Sequence, residues 1–325
     1  MLASSEPYAG RHGCPMTDAT PVSEPIAAPP TMRLFCFGFG YSAQALARSM
    51  RGAACRVAGT VRGADKAQAL AGEGVESFAF DGAAPLADAA KALAGTTHLL
   101  VSAPPGAGGD PVLRHHASDL AALVAASPAL RWVGYLSTTA VYGDHGGGWV
   151  DEDTPVAPTS ERARRRVDAE NAWLDLQRTR RVPVHVFRLA GIYGPGRNAL
   201  VDVRHGEARR ILKPGQVFSR IHVDDIAAVL AASMARPNPG RIYNVCDDEP
   251  APGSDVVLHA CQLLGVQCPP EIPYEQAAPT MSEMARSFYA DNKRVRNERI
   301  KRELGVMLRY PNYRAGLEAL LAAGE

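Results

Sequence analysis

A chain of 325 residues, 46% hydrophobic and 21% charged with a net charge of +1, is long enough to bury a sizeable core as one large or two modest domains. Basic and acidic residues nearly cancel, and the densest basic run, Arg162 to Arg166, is short and helical in context, so a nucleic-acid partner is not expected. No run approaches the roughly 18 to 20 apolar residues of a membrane span, and the start lacks a signal peptide's pattern, so a globular cytoplasmic protein is expected.

Residues 1–31 are rich in Pro, Ala, Ser and Thr without periodicity and read as a disordered tail, with Met16 or Met32 as alternative translation starts. The six cysteines, Cys14, Cys36, Cys55, Cys246, Cys261 and Cys268, show no C-x-x-C pair, which suits free thiols in a reducing compartment and gives no metal site. The apolar run ending at Phe37 predicts a buried parallel strand. Gly38, Gly40 and Ala43 follow at G-x-G-x-x-A spacing and open a helix. Gly38 permits a tight turn and Gly40 lets backbone approach a pyrophosphate. Ala43 allows close helix packing, while the first helical residues, including Tyr41 and Ser42, present N–H groups to phosphates.

A second strand, Cys55–Thr60, runs on to Arg62. Dinucleotide sites place an acid near here for a ribose 2′-hydroxyl, or an Arg for a 2′-phosphate. Thr60 and Arg62 stand here without an acid before Asp65, which favours NADP(H) over NAD(H); the alternative is a solvated arginine. A helix over 64–72, a strand over 77–80, a helix over 85–94 and a strand over 98–102 follow. Asp81 is placed to meet an adenine amino group or to form a turn. Ser102, Ala103 and Pro104 leave the fourth strand beside the cofactor, and the loop on to Gly109 reads as mobile. His115 and His116 have no third ligand and read as surface residues.

Next, Trp132–Thr138 predicts a strand ending in hydroxyls, and Asp144–Asp153, with three glycines, a flexible substrate-side flap. Four ordered motifs join the glycine turn: Leu136-Ser-Thr-Thr-Ala-Val-Tyr-Gly-Asp144, Phe187-Arg-Leu-Ala-Gly-Ile-Tyr-Gly-Pro-Gly-Arg197, Ile221-His-Val-Asp-Asp-Ile226 and Tyr243-Asn-Val-Cys-Asp-Asp-Glu-Pro250. With them the chain, from residue 32 almost to its end, resembles an extended-type short-chain dehydrogenase/reductase of the nucleotide-sugar epimerase/dehydratase group. The resemblance implies an α/β fold, a Rossmann-type doubly wound parallel sheet of about seven strands with a smaller C-terminal substrate region. Residues 32–192 and 217–248 would form the NAD(P)-binding part and 193–216 with 249–325 the substrate region. It also implies that Thr138 is the assisting hydroxyl, that the first Asp of His222-Val-Asp-Asp225 is buried near a helix start, and that two copies can pair across a helix as a homodimer.

The chain departs from this family at its acid/base pair, a Tyr followed four residues later by Lys. With Glu170 aligned to the family's later Glu, Arg166 takes the place of Lys and Arg162 that of Tyr. A guanidinium stays protonated and cannot shuttle protons as a phenol does. The two arginines share a helix face with Glu170, so they either clamp an anion or pair with Glu170, Asp168 and Asp151. The chain thus resembles the atypical branch of the superfamily. Residues 288–305 predict an amphipathic helix ending at Gly305, where Tyr289, Asn292, Lys293 and Arg294 are candidates for substrate contact. Two functions remain: an NADP(H)-dependent oxidoreductase or epimerase-like enzyme acting on an anionic or nucleotide-sugar-like small molecule, or a non-catalytic NADP(H)-binding sensor. Decay of the cofactor site as well is disfavoured by Gly38, Gly40 and Ala43.

Overall fold

Apolar strands alternate with helices that return the chain to the same edge, and this rhythm yields parallel pairing. The computed structural model describes residues 32–126 and 129–325; the tail, Cys14 and Met16 lie outside them. The first half runs β1 (Met32–Phe37), α1 (Tyr41–Ser49), β2 (Cys55–Val61), α2 (Ala64–Gly72), β3 (Glu76–Ala79), α3 (Ala89–Leu93), β4 (His98–Val101), α4 (Pro111–Val124) and β5 (Trp132–Thr138). Then come β6 (Trp149–Val150), α5 (Glu161–Arg180), β7 (Val184–Leu189), β8 (Gly191–Tyr193), α6 (Ala199–Arg204), β9 (Arg210–Leu212), β10 (Arg220–His222), α7 (Val223–Ala235) and β11 (Ile242–Val245).

The seven-stranded sheet has the order β11-β7-β5-β4-β1-β2-β3, parallel throughout. The order turns back on itself between β1 and β4, which opens a crevice at their carboxyl ends. Alternate residues of β1 serve opposite faces. Leu34 and Cys36 pack with Leu46, Ile226 and Leu230 of α1 and α7, while Phe35 and Phe37 pack with Leu120 and Trp173 of α4 and α5.

Beyond β11 lie α8 (Gly253–Leu264), β12 (Glu271–Pro273), α9 (Tyr274–Ala277), α10 (Glu283–Ala290), β13 (Arg294–Val295), α11 (Glu298–Leu304) and α12 (Tyr313–Ala322). Three two-stranded parallel pairs, β8–β10, β9–β12 and β6–β13, stand apart from the main sheet. Leu200, Ala260, Tyr313, Leu317 and Leu320 form a separate apolar cluster among α6, α8 and α12.

Several sequence expectations change. The helix expected over 288–305 is interrupted: α10 ends at Ala290 and β13 pairs with β6 before α11 stops at Gly305 in the left-handed region. The helix expected over 85–94 shrinks to α3 because the Asp88 carboxylate accepts from Lys91 N–H and fixes its start. His116 is buried rather than on the surface. Its Nε2 accepts from Leu86 N–H, its Nδ1 lies 2.8 Å from Asp119, and its ring stacks on Phe37. The buried Asp of the His-Val-Asp-Asp motif is the second, Asp225, which accepts from Arg309 and Tyr310 N–H at 2.8 and 3.0 Å. Asp224 stays half-exposed in the first turn of α7, where its charge suits the helix dipole.

Candidate functional site

At the crevice, Gly38 adopts φ +85°, and a Cβ there would lie 2.8 Å from Ser102 Oγ and 3.1 Å from Ala103 N, so only glycine fits without strain. The turn is fastened from both neighbours. Gly38 N–H donates to Thr60 Oγ1 at 2.8 Å, and Ser102 Oγ donates to the Gly38 carbonyl at 2.5 Å. Thr60 is buried and, like Ser102, braces the turn. Gly40 behaves differently. Its φ of −91° suits any residue, yet a Cβ there would meet nothing within 4 Å. No side chain caps α1, so the first-turn N–H groups of Tyr41, Ser42 and Ala43 have no side-chain acceptor. Glycine at position 40 therefore borders an open cradle at a helix N-terminus with no side-chain cap, where backbone N–H groups can receive an anion. Ala43 and Ser42 are buried where α1 packs on the core.

Around this cradle, Arg62 is exposed at the end of β2 and makes no hydrogen bond or ion pair among the described residues. Asp81 is exposed and accepts from Ala83 N–H at 2.8 Å, the turn-forming alternative. Ala103 N–H donates to the Phe37 carbonyl, and Pro104 is exposed beside it. The loop to Gly109, read from sequence as mobile, is closed by reciprocal Gly106–Gly109 bonds and ends where Asp110 caps α4. Tyr41 reaches across to donate its hydroxyl to the Pro195 carbonyl at 2.9 Å, and burial pushes its pKa up to about 12.

The end of β5 holds the second group of residues. Thr138 Oγ1 accepts from Ala140 N–H at 3.2 Å, which caps the short 3-10 turn Thr139–Tyr142 and leaves the hydroxyl proton free to donate. Arg166 donates to the Leu136 carbonyl at 2.8 Å and to Tyr135 Oη at 3.1 Å, which holds the start of α5 against the strand end. Arg162, one helical turn or about 6 Å nearer the N-terminus, is exposed and has no partner among the described residues. Neither arginine pairs with Glu170, Asp168 or Asp151. Glu170 is taken by Arg188 of β7, with Arg188 Nη2 to Glu170 Oε2 at 2.7 Å and both side chains almost wholly buried.

Strand register explains that pairing. Ser137, Arg188 and Asn244 are successive partners across β5, β7 and β11, so they form one polar row under α5. Ser137 Oγ donates to Glu170, Arg188 donates to Tyr142 Oη at 3.0 Å, and Tyr142 donates to Asn244 Oδ1 at 2.7 Å. Every polar atom that joins the row finds an answering group, as a buried network requires. The Tyr142 hydroxyl is thereby held inside the row, and burial pushes its pKa up to about 12. Tyr135 and Tyr193 are likewise buried, with pKa values raised by desolvation.

The expected flap is pinned rather than free. His145 and Gly147 N–H both donate to the Asn292 carbonyl, and Asp144 Oδ1 accepts from Asn292 N–H at 2.7 Å. Asn292 also bonds Gly215 O and Val217 N–H through its amide. Lys293 donates to the Gly143 carbonyl at 2.8 Å, and burial lowers its pKa. The segment 213–218 tied down in this way lines a cavity of about 360 Å³ with Asp255, Tyr289 and Arg294. Gln216 is buried there, with Nε2 bonded to the Asp291 carbonyl and Oε1 without a partner among the described residues. Nearby Arg220 donates to the Phe218 and Ala251 carbonyls, and burial raises the pKa of Asp247 to about 8. Gln216 and Arg220 carry no local pattern that marks a role, and Asp247 is marked only by its place in the Tyr243–Pro250 motif; the return of the chain sets Asp247 N–H on the Arg220 carbonyl at 2.7 Å. No group of His, Cys, Asp and Glu suited to a metal occurs among the described residues, and no helix there is long and apolar enough to cross a membrane.

A parallel sheet with a glycine turn at its reversal point and a hydroxyl-rich strand end defines an extended-type short-chain dehydrogenase/reductase fold. The chain belongs to the NAD-dependent epimerase/dehydratase family, whose model matches residues 109–246, downstream of the glycine turn. A solved conserved protein of unknown function from Silicibacter pomeroyi DSS is 54% identical, with a TM-score of 0.82 over 91% of this chain and 100% of that one. The dTDP-glucose 4,6-dehydratase of Bacillus anthracis, solved with NAD, is 17% identical, with a TM-score of 0.70 over 90% and 97% of the two chains. The UDP-glucuronic acid 4-epimerase of Bacillus cereus, also solved with NAD, is 18% identical, with a TM-score of 0.69 over 90% and 96%. No curated protein matches the chain.

Proposed function

We propose that this chain binds a nicotinamide dinucleotide at the Gly38–Ala43 turn, NADP(H) in preference to NAD(H), and acts as an oxidoreductase or epimerase-like enzyme on an anionic, nucleotide-sugar-like small molecule. The observation that carries the reading is the empty space at Gly40 under the uncapped start of α1. Relatives of the same fold were solved with NAD in place. When bound, the dinucleotide supplies hydride transfer. In this reading the chain's own residues orient and hold. The α1 N–H groups take the pyrophosphate, Thr138 donates its hydroxyl proton to a substrate oxygen, and Arg162 holds an anionic group at the strand end while Arg166 positions it. Lys213, Lys293 and Arg294, within residues 193–216 and 249–325, add positive charge on the substrate side, and Arg220 adds to it from the neighbouring strand β10, which favours an anion. Pairing of two copies across α5 belongs to the same proposal; its exposed residues Arg164, Asp168, Asp175 and Arg178 make such a contact polar.

The preference for NADP(H) rests on Arg62, exposed and unpaired among the described residues where an acid would select NAD(H). Arg62→Ala is expected to weaken NADPH binding about 10-fold or more, as loss of one charge-assisted contact does, and to leave NADH binding unchanged. Equal loss for both dinucleotides, measured by calorimetry, would refute the phosphate role.

A second reading, a dinucleotide-binding sensor without turnover, is favoured by one observation. Tyr41, Tyr135, Tyr142 and Tyr193 are bonded or buried with raised pKa values, so none is poised as the proton carrier that the aligned Arg162 cannot be. Hydride exchange between bound NADPH and a panel of nucleotide-sugars separates the two readings.

A further inference from the structure

We propose that Cys261 and Cys268 are a thiol pair which a low-molecular-weight disulfide, such as glutathione disulfide, converts into an intrachain disulfide. This modification site goes beyond the dinucleotide and substrate reading and does not depend on it. The geometry comes from how α8 ends. Gly265 takes the left-handed conformation at φ +64°, and Val266 N–H donates back to the Cys261 carbonyl at 3.1 Å, a closure that reverses the chain over the helix. Two residues later, Cys268 Sγ lies 3.9 Å from the Val257 carbonyl, one turn before Cys261 on the same helical face. Cys261 is 1% exposed and Cys268 half-exposed, so one sulfur is reachable and the other waits beneath it. Burial and, after it, the neighbouring Cys268 thiol raise the Cys261 pKa to about 11.

Among the described residues the other cysteines lack this arrangement. Cys55 is paired in register with Met32 and Cys36 with Gly59, so Cys36 and Cys55 are offset by four residues, about 13 Å along the sheet, beyond disulfide reach. Cys246 is fully buried with its Sγ on the Val295 carbonyl.

The exchange balances without a further oxidant. The Cys268 thiolate attacks one sulfur of glutathione disulfide and releases one glutathione. The Cys261 sulfur then attacks the Cys268 sulfur of the mixed disulfide, loses its proton to water and releases the second glutathione. The protein is oxidised by two electrons and the glutathione disulfide is reduced to two thiols. The product ties the lead-in of β12 to the end of α8, whose other end, residues 252–255, borders the cavity.

The test treats the full chain with glutathione disulfide, blocks remaining thiols with N-ethylmaleimide in denaturant and maps the peptides. Expected are two fewer alkylated thiols than the six in the sequence, a Cys261–Cys268 link without retained glutathione at either, and full reversal by dithiothreitol. Cys261→Ala should instead trap one glutathione on Cys268. Retention of glutathione on Cys268 in the native sequence, or both thiols unmodified at concentrations that modify the Cys261→Ala chain, would overturn the proposal. A lack of reaction at Cys268 in both chains would overturn it equally.

Discussion

Glu170→Ala is expected to lower the unfolding free energy by about 3–5 kcal/mol, the range for breaking a buried ion pair from one side. The substitution strands the Arg188 guanidinium, whose side chain is 5% exposed, and removes the acceptor of Ser137 Oγ. The loss should spread, because Arg188 also holds Tyr142, which holds Asn244. Arg162→Ala, eight residues earlier on the same helix, removes an exposed side chain with no described partner and should change stability by less than about 0.5 kcal/mol. Urea unfolding of the two variants gives the comparison; similar costs at both positions would contradict the assignment of Arg188, rather than Arg162 or Arg166, as the partner of Glu170.

The second large effect concerns Asp247, which is 1% exposed, with Oδ2 unpartnered among the described residues. Burial raises its pKa from 3.8 to about 8, against the smaller opposing pull of Arg220. The folded state therefore binds more protons than the unfolded chain between about pH 4 and pH 8, so this residue's contribution to stability falls as pH rises through that window. Asn cannot ionise and keeps the acceptor for Glu249 N–H, which Asp247 Oδ1 now meets at 3.3 Å. Asp247→Asn should thus gain stability relative to the parent chain as pH rises from 5 to 8, by on the order of 3 kcal/mol. Paired unfolding curves at the two pH values measure the difference, and a pH-independent gap would show that the carboxyl is ionised throughout.

The legible parts of this chain were those encoded by local rhythm. Apolar runs gave five of the seven strands within a residue or two, the count of about seven came from the family resemblance, and glycine spacing located a turn whose Gly38 is indeed held at positive φ by close neighbours. Cross-chain partners were not legible. The i, i+4 spacing of Arg162, Arg166 and Glu170 suggested pairing along one helix, but the register of β5 with β7 sets Arg188 beneath Glu170, and a spacing rule on one helix cannot see it. The flap around Gly146 and Gly147 reads as flexible because glycine permits many conformations. Asn292, nearly 150 residues away, selects one of them. The same anchoring and the β6–β13 pair break the helix that charge alternation over 288–305 had suggested.

Much of the candidate site follows the same division. The cradle at Gly40 and the hydroxyl of Thr138 lie next to their own motifs, whereas Arg220 and Asp247 meet only after the chain has crossed the sheet and returned. Thr60 and Ser102, marked from sequence as cofactor contacts, brace the glycine turn from below. Tyr41 likewise spends its hydroxyl on Pro195. Such residues shape a binding site by holding its backbone, and their sequence positions alone do not separate that role from direct contact.

Whether the space at Gly40 receives a dinucleotide pyrophosphate is tested directly by calorimetric titration of NADPH into the parent chain and into Gly40→Asp. Aspartate suits the extended backbone at position 40 and is a good helix N-cap, so the variant should fold at least as stably as the parent. It also sets a carboxylate where the phosphates would lie. The expected result is saturable NADPH binding to the parent chain and a loss of 100-fold or more in the variant, on the order of 3 kcal/mol. Equal binding by both proteins, or no binding by the parent at millimolar NADPH, would contradict it.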